Sequence, residues 1–261
     1  MIAIADNLNT RNKIYMDALM RRDEKTVTEL IKKIEDSGAD IINVQCSLDG
    51  AADEDSLPWV IKILSAVTDK IVSLDSRNTF ALKKAMSLCK KPPIVNFISK
   101  TEPKDQETMI SLVSQSGASI VIRASSGTIP SSLETKLQII EDLIEMANGA
   151  DIPNDRIFAD PSVVHISRGM GQKHLVNSRE CVMLLKELVE PPVNTIAWIS
   201  NISTGLPKLL RKPLEASFLT YMAGTGLDAA MVDILDESIR RSLYLIKSFR
   251  DEIVFSQADI T

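Results

Sequence analysis

Residues 39–45 read Ala39-Asp40-Ile41-Ile42-Asn43-Val44-Gln45, a short β-branched apolar run that ends in amide side chains. On one side lies Thr26–Asp36, with Val27, Leu30, Ile31 and Ile34 at helical spacing. On the other lies Asp55–Val67, with Leu57, Val60, Ile61, Leu64 and Val67, and then a second short run, Lys70–Leu74. A continuous apolar run of this length suits a strand buried on both faces, and flanking amphipathic helices supply the cover. A parallel sheet built from strand–helix units follows.

Working outward, the same unit recurs about eight times. The remaining strand candidates are Ile2–Ile4, Pro93–Phe97, Ser119–Ile122, Arg156–Ala159, Thr195–Ile199 and Ala229–Val232. Helices are expected at Phe80–Cys89, Gln106–Gln115, Ser132–Ala147, Ser178–Leu188, Lys212–Ala223 and Glu237–Arg250. Gly38, Gly117 and Gly224 or Gly226 follow helix ends, the usual stop position. Eight units favour closure, so the expected fold is α/β, one (β/α)8 TIM barrel occupying residues 1–261 as a single domain. A length of 261 residues fits, since such barrels run to about 250.

Composition narrows the function classes. Hydrophobic residues make up 44% and charged residues 25%, as in a globular protein with a substantial core. The net charge of −5 and the absence of any long basic run argue against nucleic acid as a partner. Cys46, Cys89 and Cys181 show no paired spacing, so neither a disulfide framework nor a zinc site is expected. No run approaches the ~20 apolar residues of a membrane span, and Met1-Ile2-Ala3-Ile4 has no basic leader pattern, so a cytoplasmic protein is expected. No Asp/Glu pair at ligand spacing suggests a metal. His165 and His174 are read as lying in a loop after the sixth strand.

The residues just after each strand would converge on one mouth of the barrel, where barrel enzymes place their sites. Those positions carry Asp6, Asn7, Asn9, Asn43, Gln45, Asp75, Asn78, Asn96, Arg123, Asp160, Asn201 and Asp233. Carboxylates and carboxamides dominate, and nucleophiles are nearly absent. Such a mouth reads hydrogen-bond edges: a carboxylate accepts two parallel N–H bonds, while an amide both donates and accepts. A flat heterocycle with an amino group beside a ring N–H, such as a pterin, matches Asp75, Asn96 and Asp160 on three strands. The competing explanation is that each of these residues merely caps the helix that follows.

Six ordered segments then carry a family resemblance. Ser73-Leu74-Asp75-Ser76-Arg77-Asn78, Ile94-Val95-Asn96, Ala159-Asp160-Pro161, Ile199-Ser200-Asn201-Ile202-Ser203, Arg211-Lys212-Pro213-Leu214 and Gly226-Leu227-Asp228-Ala229-Ala230 resemble the pterin-binding methyltransferases, specifically methyltetrahydrofolate:corrinoid protein methyltransferases. The resemblance implies that Asp75, Asn96 and Asp160 hold the pterin; Asn9, Asn43, Arg123 and Lys212 are further candidates for its site. It implies that Asn201 reaches N5 as the catalytic residue. It further implies tetrahydrofolate or 5-methyltetrahydrofolate as substrate, a homodimer, and a corrinoid (cobalamin) carried by a separate corrinoid protein.

Three positions depart from that pattern. Ala5-Asp6-Asn7-Leu8-Asn9 keeps only the final Asn of the family's first-strand motif, Asn43 replaces an expected Asp, and Arg123 brings a cation where a neutral side chain is expected. Arg123 is expected to pair with Asp160 or Asp75, or to meet an anionic ligand. These departures leave a non-catalytic pterin-binding subunit as the alternative. The related dihydropteroate synthases carry a phosphate-binding Ser-x-Arg that Asp228–Asp233 lacks. The stretch Ser203–Arg211, with Gly205 and Pro207, is expected to form a mobile lid.

Overall fold

The computed structural model describes residues 1–47, 52–100 and 103–259. Strands β1 (Ile2–Leu8), β2 (Ile41–Val44), β3 (Ile71–Asp75), β4 (Ile94–Ser99), β5 (Ser119–Arg123), β6 (Ile157–Asp160), β7 (Asn194–Trp198) and β8 (Ala229–Val232) form one closed barrel in chain order. Every neighbouring pair is parallel, and β1 closes on β8 through Ile2–Ala229 and Ala3–Ala230. All eight expected strands are present, and the barrel architecture is as read from the sequence.

Helices cover the outside: α1 (Lys13–Arg21), α2 (Glu24–Asp36), α3 (Asp53–Val67), α4 (Thr79–Met86), α5 (Pro103–Ser116), α6 (Leu133–Asn148), α7 (Gly171–Leu188), α8 (Lys208–Ala223) and α9 (Glu237–Phe249). The helix α2 shows why the pattern was legible. Asp23 caps it by accepting from the Thr26 N–H at 3.1 Å, and Val27, Leu30, Ile31 and Ile34 are all buried. Each such side chain contributes about 1.5–3 kcal/mol of burial free energy. Gly38, at φ +81°, then takes the left-handed turn into β2, a conformation that costs other residues more.

Alternation within each strand sorts side chains between two cores. Ile4, Ile41, Ile94, Val121, Phe158, Ile196, Trp198, Ala229 and Met231 pack together inside the barrel. Their neighbours, such as Ile42, Val44, Ile120 and Ile122, pack against the helices. Both faces of a strand are therefore apolar near its start, which produces the unbroken β-branched runs.

The structure corrects three expectations. Helix α1 has no counterpart in the sequence reading. Its buried residues Tyr15, Ala18 and Leu19 do stand at helical spacing, but the helix has only nine residues and Ile14 and Met20 beside them are exposed, which blurs the stripe. Helix α7 begins at Gly171, seven residues before Ser178. Its first turns are polar and Met170 provides no side-chain cap, so the start carries no signal. His174 consequently lies buried in that helix and not in a loop, whereas His165 does stay in the loop and meets Ser167 at 3.1 Å. The proposed lid is largely regular: residues Ile199–Ser203 form a 3-10 turn and α8 starts at Lys208, leaving only 204–207 between them.

Beneath the mouth, the fully buried Lys136 of α6 fixes the turn after β6. Its ammonium donates to the Pro161 carbonyl, to the Ser162 carbonyl at 3.1 Å and to Ser178 Oγ at 3.1 Å. Burial pulls its pKa down to about 8. Ser162 sits at φ +60°, and the three acceptors would lose their donor if the ammonium were removed. Lys136→Met should therefore destabilise the protein by about 2–4 kcal/mol, because it keeps volume but leaves buried acceptors unmet. Urea denaturation of the two proteins checks this; equal midpoints and slopes would show that the ammonium does not hold the turn.

Candidate functional site

The inward positions of the strands build the site. Two residues beyond Ile4, Ile41, Ile94, Val121 and Phe158 of the apolar floor stand Asp6, Asn43, Asn96, Arg123 and Asp160, and β3 follows with Ile71, Ser73 and Asp75. Side chains on a strand alternate with a period of two, so each of these points to the same interior as the floor residue before it. The strand register places Asp75 beside Asn96 and Arg123 beside Asp160. The polar ring thus lies at the C-terminal ends of the strands, above a hydrophobic plug.

Helix capping does not account for this ring. Asn78 does cap α4, accepting from the Phe80 and Ala81 N–H groups. Asp6, Asn43, Asp75 and Arg123 instead bond across strands. The Asn43 amide donates to Asp6 at 3.1 Å, and the Asn96 amide donates to Asn43 at 3.5 Å. Gln45 donates to Asp75 at 2.9 Å, and Arg11 forms an ion pair with Asp6 at 2.8 Å. Asn96 Oδ1 is buried and, among the described residues, accepts no hydrogen bond. A buried carbonyl oxygen without a donor is costly, and an added N–H donor would relieve that cost.

Arg123 resolves one open alternative by pairing with Asp160. Its Nε donates to Asp160 Oδ2 at 2.8 Å, while the Ser162 N–H reaches Asp160 Oδ1 at 2.9 Å. The guanidinium carbon lies 3.4 Å from the Phe97 ring centroid and 4.6 Å from that of Trp198. Aromatic faces attract such a cation, so the rings fix the group as well as the carboxylate does.

These residues are distributed over two adjoining cavities. One, of about 250 Å³, is lined by Asp75, Gln45, Arg123, Phe97, Trp198 and Asn201. Asn43, Asn96 and Asp160 are almost wholly buried in its surroundings and do not line it. The second cavity, of about 660 Å³, contains Asn9 and Lys212 and shares Asp6 and Arg11 with the first. Lys212 is held there by Glu215 at 3.0 Å and Asp233 at 2.8 Å. Asn9 folds back on its own turn, donating to the Asp6 carbonyl and accepting from the Arg11 N–H. Of the eight residues named from sequence, Asp75, Arg123 and Asn201 therefore line one cavity, three lie buried around it, and two belong to the cavity next door. Phe97 and Trp198 were missed as site residues. An aromatic at a strand end reads as core unless strand parity and closure are both known.

Burial dominates the electrostatics of the ring. Desolvation raises the carboxyl pKa values of Asp6 and Asp160 despite Arg11, Arg123 and the amide donors beside them. Asp75 is pushed up to about 6, first by burial and then by the charge of Asp6, with Arg123 and Gln45 opposing. The ring thus presents carboxyl, amide and guanidinium groups together, with burial opposing the charge on its carboxylates.

Comparison with known proteins matches residues 7–233 to the family described as pterin binding enzyme. The chain belongs to this family. Relatives include the methylcorrinoid:tetrahydrofolate methyltransferase of Eubacterium limosum, 26% identical over 237 residues that cover 89% of this chain and 85% of that protein. The methionine synthase of Mycobacterium leprae is 22% identical over 240 residues, 89% of this chain but only 20% of that much longer protein. Among solved structures, a dihydropteroate synthetase superposes with a TM-score of 0.71 at 16% identity, over 96% of this chain and 94% of that one. The Yersinia pestis enzyme with a pterin–sulfa conjugate gives 0.71 at 15% identity, over 97% and 94%. These two likenesses concern the fold. Within the pterin-binding family, the matched region begins and ends at the mouth, with Asn7 and Asp233 hydrogen-bonded to each other.

Asp75 provides a test of the ring's electrostatics. Its carboxyl takes up a proton on folding between about pH 4 and 6, so its contribution to stability falls as pH rises through that window. Asp75→Asn keeps an acceptor for Gln45 and removes the buried charge. It should stabilise the protein by about 1–3 kcal/mol at pH 7.5 and by almost nothing at pH 4. Thermal unfolding across that range measures both; a lower melting temperature for the variant at pH 7.5 would contradict the assignment.

Proposed function

We propose that this protein moves a methyl group between N5 of tetrahydrofolate and the cobalt of a corrinoid protein. The observation that carries this reading is the polar ring around an aromatic-walled cavity, in a chain of the pterin-binding family. A relative named for this reaction aligns over 89% of it. Asp75, Asn96 and Asp160 are assigned to the amino and ring N–H edge of the pterin. The unmet Asn96 Oδ1 supports that assignment, since it lacks only a donor.

The chemistry asks little covalent work of the chain. In the direction that demethylates the folate, the N5–methyl bond breaks with its electron pair left on N5, which gains a proton. The cobalt(I) pair makes the new bond. Neutral N5 is a poor leaving group, so a donor placed at N5 lowers the barrier as charge develops there. Asn201 on the rim of the cavity is assigned that role: its amide orients N5 and stabilises the protonated form. Among the described residues that line the cavity there is no cysteine, lysine or histidine, in keeping with direct transfer. The ring's contribution is then positioning and electrostatics.

The same reading includes a homodimer and a separate corrinoid carrier docked over the mouth, in the cytoplasm. Leu209 and Leu210, in the first turn of α8 beside the mouth, are 86% and 54% exposed and offer apolar surface for such contacts. No described helix is long and apolar enough to cross a membrane. A second reading, a pterin-binding subunit without turnover, draws on the hold of Arg123 over Asp160 and of Arg11 over Asp6.

Mixing the protein with methyltetrahydrofolate and cob(I)alamin, followed at the corrin absorbance bands, separates the two readings. Methylcobalamin formation is expected. Folate binding without any exchange, in either direction and with any carrier protein tried, would favour the binding subunit. Asn201→Ala should slow single-turnover transfer about a hundredfold while leaving folate affinity within about threefold; equal rates would remove Asn201 from the chemistry. Asp160→Asn should weaken tetrahydrofolate binding by about 1–3 kcal/mol in calorimetry, and unchanged affinity would take Asp160 out of the site.

A further inference from the structure

We propose that Arg123 is an internal stand-in for the ligand: its guanidinium, bonded to Asp160, occupies the slot of the pterin's amino edge, and binding must displace it. This inference rests on the pterin reading above. A guanidinium is flat and presents adjacent N–H donors, the same array as a pterin's amino group beside its ring N–H. In this structure one member of that array meets one of the partners assigned to the pterin edge, Asp160. Nε donates to Asp160, and the plane is flanked by Phe97 and Trp198, which wall the cavity shared with Asp75 and Asn201.

The arrangement serves the empty protein. Asp160 is buried, with a side chain only 2% exposed, and an unpaired charge there would be strongly destabilising. Arg123 satisfies it until the ligand does. The arginine side chain is 20% exposed, so it has a route to solvent when displaced. Exchange of one donor array for another makes net affinity lower than the contacts alone would give. Arg123 therefore sets how tightly the site takes flat donor heterocycles, and it favours those able to compete for Asp160.

Calorimetric titration of tetrahydrofolate into the wild-type protein, Arg123→Ala and Arg123→Lys tests this. Arg123→Ala is expected to bind at least about tenfold tighter, the worth of a hydrogen bond to a charged group. Its empty form should melt lower than wild type, and added tetrahydrofolate should raise its melting temperature by more. Arg123→Lys keeps the charge but lacks the flat stacked array, so its affinity should fall between the two, and it decides the matter if Arg123→Ala does not fold. Wild-type binding with no gain in the folded variants would overturn the stand-in while leaving the pterin reading intact. Absence of binding by all three proteins would instead overturn the pterin reading, and the stand-in with it.

Discussion

Closing eight parallel strands into a barrel forces alternate residues of every strand into one interior. That interior can be filled only once at each level. Here the lower level is an apolar plug of Ile4, Ile41, Ile94, Val121, Phe158, Ile196 and Ala229. The next level up carries Asp6, Asn43, Asp75, Asn96, Arg123 and Asp160. The plug keeps water away from the underside of the ring, and it is this dryness that gives the polar groups their chemistry. Their mutual bonds are stronger than in water, and any missing partner is more costly.

The ring must therefore be nearly self-satisfying before a ligand arrives. Asp6 has Arg11 and Asn43, Asp75 has Gln45, and Asp160 has Arg123 and the Ser162 N–H. Burial still raises all three carboxyl pKa values, which shows that the compensation is incomplete. Asn96 is left with an unmet carbonyl. A folded protein that keeps such costs at one place is trading stability for a site. The surrounding scaffold answers with rigidity, notably through Lys136, which ties the turn after Asp160 to α6 and α7.

This balance also explains how a family pattern can vary. Replacing an expected carboxylate by Asn43 lowers the buried charge of the ring, and adding Arg123 lowers it further. Both changes move the mouth towards neutrality. Asn43 and Arg123 are thus linked through one electrostatic requirement, although they lie on different strands.

Much of the architecture was legible in the amino-acid order. A doubly buried strand must be apolar on both faces, and its covering helix must carry a stripe, so the eight units announced themselves. Helix α1 and the first turns of α7 escaped because neither has a clean stripe, and α7 lacks a side-chain cap as well. The identities of the ring residues were likewise set by sequence. Their pairings were not: whether Arg123 meets Asp160 or Asp75, and whether Lys212 faces the ligand cavity or Asp233, depends on strand stagger and on distances of a few ångströms across the barrel. Local pattern fixes which side a residue faces, whereas only closure of the sheet brings residues far apart in the chain to the same point in space.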